Sequence, residues 1–392
     1  MIEWSNAEKR VQPKVLHWYQ QIHRHPELGL QEYATSELIA QTLQQLPGMV
    51  VERLTETGVV ATLRGGREGG TVAFRADMDA LPVQEQTECA WRSQNDGVMH
   101  ACGHDGHVAM LLGIASVLAE EREQMAGTVR FIFQPAEEIG AGAKELIAAG
   151  ALQGVNRILG AHLDVLHPTG SFGIKSGPIM AAAHIFQIEI HGKGGHAAFP
   201  DQAIDSVYIA AQVIQALHGI VSRHVNPFHR AVLTVSQMQA SNAPNIIAET
   251  VRLGGTVRVL DSACEKILFE QMEKQVQGIC QANGASCTIT HDCITPMLEN
   301  TERECRYVSD VLAETFGNEA IYQDNAVLGG ENFSEYLQDI PGCFYKVGAM
   351  PTDAGGIVYP HHNAHFRFDP DALMYGVRAG VTLLKQATSW KN

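Results

Sequence analysis

The sequence predicts an α/β protein in which a mostly parallel sheet, with helices on both faces, is interrupted by a smaller β-α-β-β-α-β insertion. Three observations carry this reading. Strand-like and helix-like segments alternate through the first half, the grammar changes between residues 184 and 293, and an apolar helix closes the chain. A length of 392 residues also calls for more than one core, since domains usually run about 100–200 residues.

In chain order, 71–74 reads as a buried strand, 108–121 as an apolar helix and 128–133 as a second strand. Residues 143–149 form a helical turn and 157–161 a third strand, while the glycine-rich run 65–70 reads as a hairpin-like turn. Strands separated by helices in this way feed a parallel sheet. Then 185–190 reads as a strand, 205–222 as a helix, 231–238 and 251–259 as strands, 263–281 as a helix and 287–290 as a strand. That is the order of a ferredoxin-like domain. Residues 184–293 are therefore expected to form an insertion in a larger domain made of 1–183 and 294–392. At the end of the chain, Asp369 stands as N-cap, Pro370 at the first helical position, and apolar residues continue to Leu384.

Composition excludes several classes. Apolar residues make up 45% and charged residues 18% of the chain, which rules out a disordered or fibrous protein. The charge sum of 28 − 43 = −15, with no Lys/Arg-rich run, argues against a nucleic-acid surface. The longest apolar stretch, 108–119, falls short of the roughly 18 residues of a membrane span, and the first ten residues lack the apolar core of a signal peptide. Eight cysteines without a Cys-x-x-Cys pair make no disulfide framework. The expectation is a soluble cytoplasmic protein that binds neither nucleic acid nor membrane.

The chemistry concentrates in histidines and acids. His100-Ala101-Cys102-Gly103-His104-Asp105-Gly106-His107 places a thiol, three imidazoles and a carboxylate within eight positions, just before a helix. Cys and His at alternate positions can converge on one side of an extended segment, as metal ligation requires. Gln134-Pro135-Ala136-Glu137-Glu138 follows an apolar strand, where α/β proteins place ligands. One of two adjacent carboxylates can bind metal while the other moves a proton. His162 stands at a strand end, and His361-His362 in a late loop.

Taken together these segments resemble the two-metal amidohydrolases: hippurate hydrolases, N-acyl-amino-acid deacylases, indole-acetyl-amino-acid hydrolases and N-acetyl-diaminopimelate deacetylases, relatives of the aminoacylases and glutamate carboxypeptidases. The resemblance runs almost end to end. It takes in His23-Arg24-His25-Pro26-Glu27-Leu28-Gly29, Phe74-Arg75-Ala76-Asp77-Met78-Asp79-Ala80-Leu81-Pro82 and the 100–107 cluster. It continues through 134–138, Gly192-Lys193-Gly194-Gly195-His196-Ala197-Ala198 and Asn245-Ile246-Ile247-Ala248-Glu249.

The resemblance implies five metal ligands, Cys102, His104, Glu138, His162 and His362, holding two divalent ions (Zn, Mn, Co or Ni) with Cys102 as the bridging thiolate. It implies Glu137 as general base and then acid. The insertion becomes a lid and dimerisation domain whose His196 reaches a catalytic centre, its own or a partner's, to stabilise the oxyanion. Asn245 and Arg258 match substrate-contacting positions, and Asp77 and Asp79 orient the ligands, with Arg75 paired to either. The implied substrate is a small N-acyl amino acid of acetyl, benzoyl or aryl-acetyl type, and the implied assembly a homodimer or a tetramer.

Two departures stand out. Glu331-Asn332-Phe333 replaces the usual Glu-Asp-Phe, so no role carries over to position 332. Asn363 follows the late histidine pair where the family often has Pro, which makes His361 and His365 competitors of His362 as ligand. Two rival chemistries fail on the residues. Gly140-Ala141-Gly142 lacks the third glycine of a dinucleotide fingerprint, Glu145 standing in its place. A Cys102 nucleophile leaves Glu137-Glu138, His162 and His362 unexplained.

Overall fold

The computed structural model describes residues 5–240, 243–352 and 357–389; Met1 to Trp4, part of the ten residues read for a signal peptide, lie outside it. The chain divides into two compact units, one of Met1–Gly177, Glu299–Asn325 and Asn332–Asn392, the other of Pro178–Leu298 and Ala326–Glu331.

The first unit is built on an eight-stranded sheet. Its order is Met49–Arg53, Val59–Arg64, Ala126–Gln134, Arg67–Asp77, Arg157–Asp164, Gly342–Gly348, Phe172–Ile174 and Ile321–Gln323. The four central strands, Ala126–Gln134 to Gly342–Gly348 in that order, run parallel, with antiparallel neighbours on either side. Parallel strands are covered on both faces, and Val129, Phe131, Ile132 and Phe133 are accordingly all buried. The helix His104–Glu120 is buried along nearly its whole length, because it is apolar all round and packs against both Asn6–Arg24 and Ala372–Ala387.

Several expected boundaries shift for local reasons. The third strand continues past residue 161 to Asp164, which places His162 inside it. Gly65 and Gly66 link two strands that do not pair, since Ala126–Gln134 lies between them; the expected hairpin is absent. The last helix starts at Ala372 rather than Pro370. Asp369 instead caps the turn before it, its Oδ1 accepting from the Asp371 N–H at 3.1 Å. Glu27, in the early histidine motif, caps the helix Tyr33–Gln44 by accepting from the N–H groups of Ala34 and Thr35 at 3.0 and 2.9 Å.

The second unit follows the order Ala182–His191, Ser206–His224, Ala231–Gln239, Thr250–Val259, Ser262–Ala282, Ser286–Thr295. Its strands form one antiparallel sheet, Ala231–Gln239 next to Thr250–Val259, then Ala182–His191, then Ser286–Thr295. Asp205 and Asp261 cap the two helices through their side chains. Ile209, Val213, Leu217 and Ile220 on one helix, and Leu268, Met272 and Val276 on the other, recur every three or four residues. They share a core with Phe186, Ile188 and Ile190. Among the described residues, no helix is long and apolar enough to cross a membrane.

Candidate active site

A left-handed turn organises the 100–107 cluster. Gly103 has φ 90°, a conformation that strains residues with a Cβ, and His104 is the first residue of the helix behind it. Cys102 and His104 therefore converge across a turn, and not along the extended segment that their alternation suggests. The ligand atoms of Cys102, His104 and His162 lie within 4.8 Å of one another, and so do those of Cys102, Glu138 and His362. Cys102 is common to both groups. Its Sγ is 3.5 Å from His162 Nε2, while Glu138 Oε1 is 3.3 Å from His362 Nε2 and 3.8 Å from His104 Nε2.

The imidazoles are oriented from behind. His104 Nδ1 donates to the Asp79 carbonyl at 3.0 Å and to Asp79 Oδ1 at 3.2 Å, and His162 Nδ1 donates to the Leu163 carbonyl at 2.8 Å. Each ring thus presents Nε2 to the cluster. The other Asp79 oxygen accepts the Glu138 backbone N–H at 3.0 Å, so one carboxylate positions two members of the cluster. Asp77 accepts from Arg75 Nη1 and from His107 Nδ1, both at 2.6 Å. Burial alone would raise its carboxyl, but His104, Arg75 and His107 hold it well below the usual carboxylate range. His107 Nε2 in turn accepts the Leu163 N–H at 3.0 Å. With both nitrogens engaged, His107 supports the site from behind.

A second strained turn delivers the glutamates. Ala136 (φ 57°) and His362 (φ 67°) are two of three non-glycine residues with positive φ among those described, and such strain gathers at functional sites. The Ala136 N–H donates to Glu32 at 2.8 Å; that buried carboxylate also accepts from Thr57 at 3.0 Å. Glu137–Ile139 then form a single 3₁₀ turn. Gly142 completes the bend: a Cβ there would stand 2.1 Å from the Pro135 carbonyl oxygen.

Asn332, to which the sequence assigns no role, is fully buried at the meeting point of these segments. Its Oδ1 accepts from Arg75 Nη2 at 2.9 Å and from Gln134 Nε2 at 2.8 Å, and its Nδ2 donates to the Ala141 carbonyl at 2.8 Å. Its backbone N–H donates to Glu137 Oε1 at 3.1 Å. The signal that could have found it was its place in a motif otherwise retained. Of the late histidines, His362 joins Cys102 and Glu138. His361 instead packs its ring 5.0 Å from that of His162 and 4.8 Å from that of Phe366, and burial pushes it down to about 4. His365 packs on Tyr359.

Divalent ions fit this donor set. Burial pushes the Cys102 thiol well above its ordinary value, so its thiolate needs a cation beside it. Glu138 Oε1 is buried without a hydrogen-bond partner, although two imidazole nitrogens stand near it. Thiolate, imidazole and carboxylate together suit zinc-like metals.

The remaining candidates lie in the second unit. His196 pairs with Ile246 across two short strands, and the Ala197 N–H donates to the Asn245 carbonyl at 3.1 Å. His196 and Asn245 are exposed and line one groove of about 540 Å³. His196 Nδ1 accepts the Ala198 N–H at 3.1 Å, so the neutral ring carries its proton on Nε2. Arg258 is half-buried on Thr250–Val259, its guanidinium against Gly330.

Residues 73–386 match the family model described as peptidase family M20/M25/M40. Thermostable carboxypeptidase 2 of Saccharolobus solfataricus is 38% identical over 384 residues, covering 97% of this chain and 96% of that protein. N-acyl-L-amino acid amidohydrolase of Geobacillus stearothermophilus is 45% identical over 283 residues, covering 72% and 76%. A solved Bacillus subtilis structure, described as a dinuclear metal binding peptidase from the M20 family, matches with a TM-score of 0.84 at 33% identity, covering 97% of this chain and 99% of that one. The chain belongs to peptidase family M20/M25/M40 and is a metallo-amidohydrolase, as its resemblance implied.

Proposed function

We propose that this protein hydrolyses the amide bond of N-acyl amino acids of acetyl, benzoyl or aryl-acetyl type, releasing a carboxylic acid and a free amino acid. One observation carries the reading: two ligand groups share Cys102, and a further carboxylate, Glu137, is fixed next in sequence to the ligand Glu138. Binding metal alone would not need that extra acid.

Cys102, His104, Glu138, His162 and His362 would hold two divalent ions, of Zn, Mn, Co or Ni. When bound, such ions lower the pKa of water and polarise a carbonyl oxygen. Glu137 takes the proton of the attacking water and delivers it to the leaving nitrogen, which would otherwise depart as an unstable anion. Two divalent charges less those of Cys102 and Glu138 leave about +2 by formal counting, enough to draw in an anionic substrate against the net charge of −15.

The second unit acts as a ferredoxin-like lid and dimerisation domain of a homodimer. His196, with its proton on Nε2, donates to the oxyanion, and a donor of this kind contributes about 2.7–4 kcal/mol. Asn245 and Arg258 contact the substrate. The amidohydrolase and carboxypeptidase names of the relatives share one demand, an amide next to an amino acid with a free carboxylate.

The test is release of free amino acid from N-acetyl and N-benzoyl amino acids and from dipeptides, before and after chelation. Chelation should abolish turnover, and Mn, Co, Zn or Ni should restore it. Full activity in stripped, metal-analysed protein would sink the proposal. Faster cleavage of dipeptides than of every acyl amino acid would replace it with a carboxypeptidase.

A further inference from the structure

A second set of soft and hard donors meets away from the five ligands above. His23, near the end of the helix Asn6–Arg24, and Glu85 and Cys89, on a loop, bring their ligand atoms within 4.8 Å of one another. His23 and Glu85 are buried and Cys89 half-buried. His23 Nε2 is 3.3 Å from Glu85 Oε1, and Cys89 Sγ is 3.8 Å from the same oxygen. Around a tetrahedral zinc with bonds of about 2.0 Å to N and O and 2.3 Å to S, these separations should be about 3.3 and 3.5 Å. The donors already stand at nearly that spacing.

Two further features favour a ligand. Asp105 Oδ2 is 2.6 Å from His23 Nδ1, the carboxylate–imidazole arrangement that orients metal-binding histidines and leaves Nε2 for the ion. All three residues also line a cleft of about 710 Å³ shared with Tyr19, Trp91 and His365, so a fourth ligand can enter from solvent. The Glu85 carboxylate is held from both sides: the Ser93 N–H donates to Oε2 at 2.6 Å, and the Thr87 hydroxyl donates to Oε1 while lying 3.4 Å from Cys89 Sγ.

We propose that His23, Glu85 and Cys89 form a further zinc site, separate from the catalytic pair, with its fourth position open to the cleft. Binding displaces the proton on His23 Nε2 and that of the Cys89 thiol, giving one N, one O and one S ligand and releasing two protons to solvent. The ion then ties the irregular loop carrying Glu85 and Cys89 to the first helix, adding to the His23–Glu85 pair and the packing of Tyr19 against Trp91.

Metal content of the whole protein tests this, after equilibration with zinc and removal of the excess. Cys89→Ser and Glu85→Gln should each carry one ion fewer per chain than wild type, whatever number the catalytic centre holds, and each should retain chelator-sensitive hydrolysis. Cobalt supplies a second readout that does not depend on activity. A thiolate-to-cobalt absorption band should persist in Cys102→Ala and vanish in Cys102→Ala/Cys89→Ser. Equal metal content in wild type and both single variants would overturn the site, leaving His23 and Glu85 as an ion pair beside a free thiol. A band that survives in the double variant would overturn it as well.

Discussion

Replacing Asn332 by Ala would test whether the buried amide holds the catalytic carboxylates in register. The substitution deletes one acceptor shared by Arg75 and Gln134 and one donor to Ala141. Three buried polar groups lose a partner, at about 1–3 kcal/mol each. Arg75 keeps Asp77 as partner, and the small vacated volume admits solvent only in part, so a total near the lower bound, about 3 kcal/mol, is expected. That is a large share of the roughly 5–15 kcal/mol that holds a domain folded. At about 2–4 °C per kcal/mol the melting temperature should fall by about 6–12 °C. The bond to Glu137 comes from the backbone N–H of residue 332, which Ala retains. Turnover should therefore survive but drop, since displacement by an ångström can cost about 10²-fold, and KM should change little. Asn332→Asp keeps the two acceptor contacts and strengthens that from Arg75 by its charge, but turns a carboxylate oxygen toward the Ala141 carbonyl in place of the donor, so it should lie between wild type and Ala. Calorimetry with steady-state kinetics on the three proteins decides the matter. A melting temperature unchanged in Asn332→Ala, or an Asp variant less stable than Ala, would refute the reasoning.

Glu137→Gln should keep its metal yet lose at least about 10²–10⁴-fold in kcat, whereas Glu138→Gln should lose metal; the reverse pattern in metal analysis would swap their roles. His196→Ala should lower kcat with metal content intact, because its contact is made in the transition state. Mixed with Glu137→Gln chains it should regain part of the activity if the histidine serves the partner's centre, and a proven heterodimer without recovery would exclude that arrangement. Burial pushes the Glu85 carboxyl up, but bonds from His23, Thr87 and Ser93 hold it down at about 2. Its contribution is thus complete above the ordinary value of 4.5 and is lost as pH falls toward about 2. In chelator-treated protein, urea midpoints of wild type should fall over that window more than those of Glu85→Gln, and parallel curves would contradict the assignment.

What the sequence made legible is what local pattern controls. The elements between 184 and 293 were readable because the helices capped by Asp205 and Asp261 repeat apolar residues at helical spacing, and the strands there are long enough to show. Helices Asn6–Arg24 and Tyr33–Gln44 went unread, one containing Pro13 and the other beginning at a cap supplied by Glu27 from outside the element. The 65–70 turn misled because two glycines can join unpaired strands as readily as paired ones; only the long-range insertion of Ala126–Gln134 decides. The donors of the site were legible as residue types, but their convergence depends on left-handed turns at Gly103 and Ala136. Asn332 was invisible for a related reason: its partners Arg75, Gln134 and Ala141 come from three different segments.

The same turns would give neighbouring glutamates the different tasks proposed for them. In a 3₁₀ turn successive side chains diverge by about 120°, so Glu137 and Glu138 leave the turn in different directions. Backbone donors then fix where each one goes. Asp79 accepts the Glu138 N–H and also holds His104, which ties Glu138 to His104. Asn332 holds Glu137 by donating its own N–H, and the buried Glu32 fixes the Ala136 turn from which both glutamates leave. A carboxylate that stands beside bound metal without ligating it would be free to take and return a proton, as proposed for Glu137. The proposed division of labour would therefore reside less in the two glutamates, which are chemically alike, than in Glu32, Asp79 and Asn332, three buried polar residues that position them.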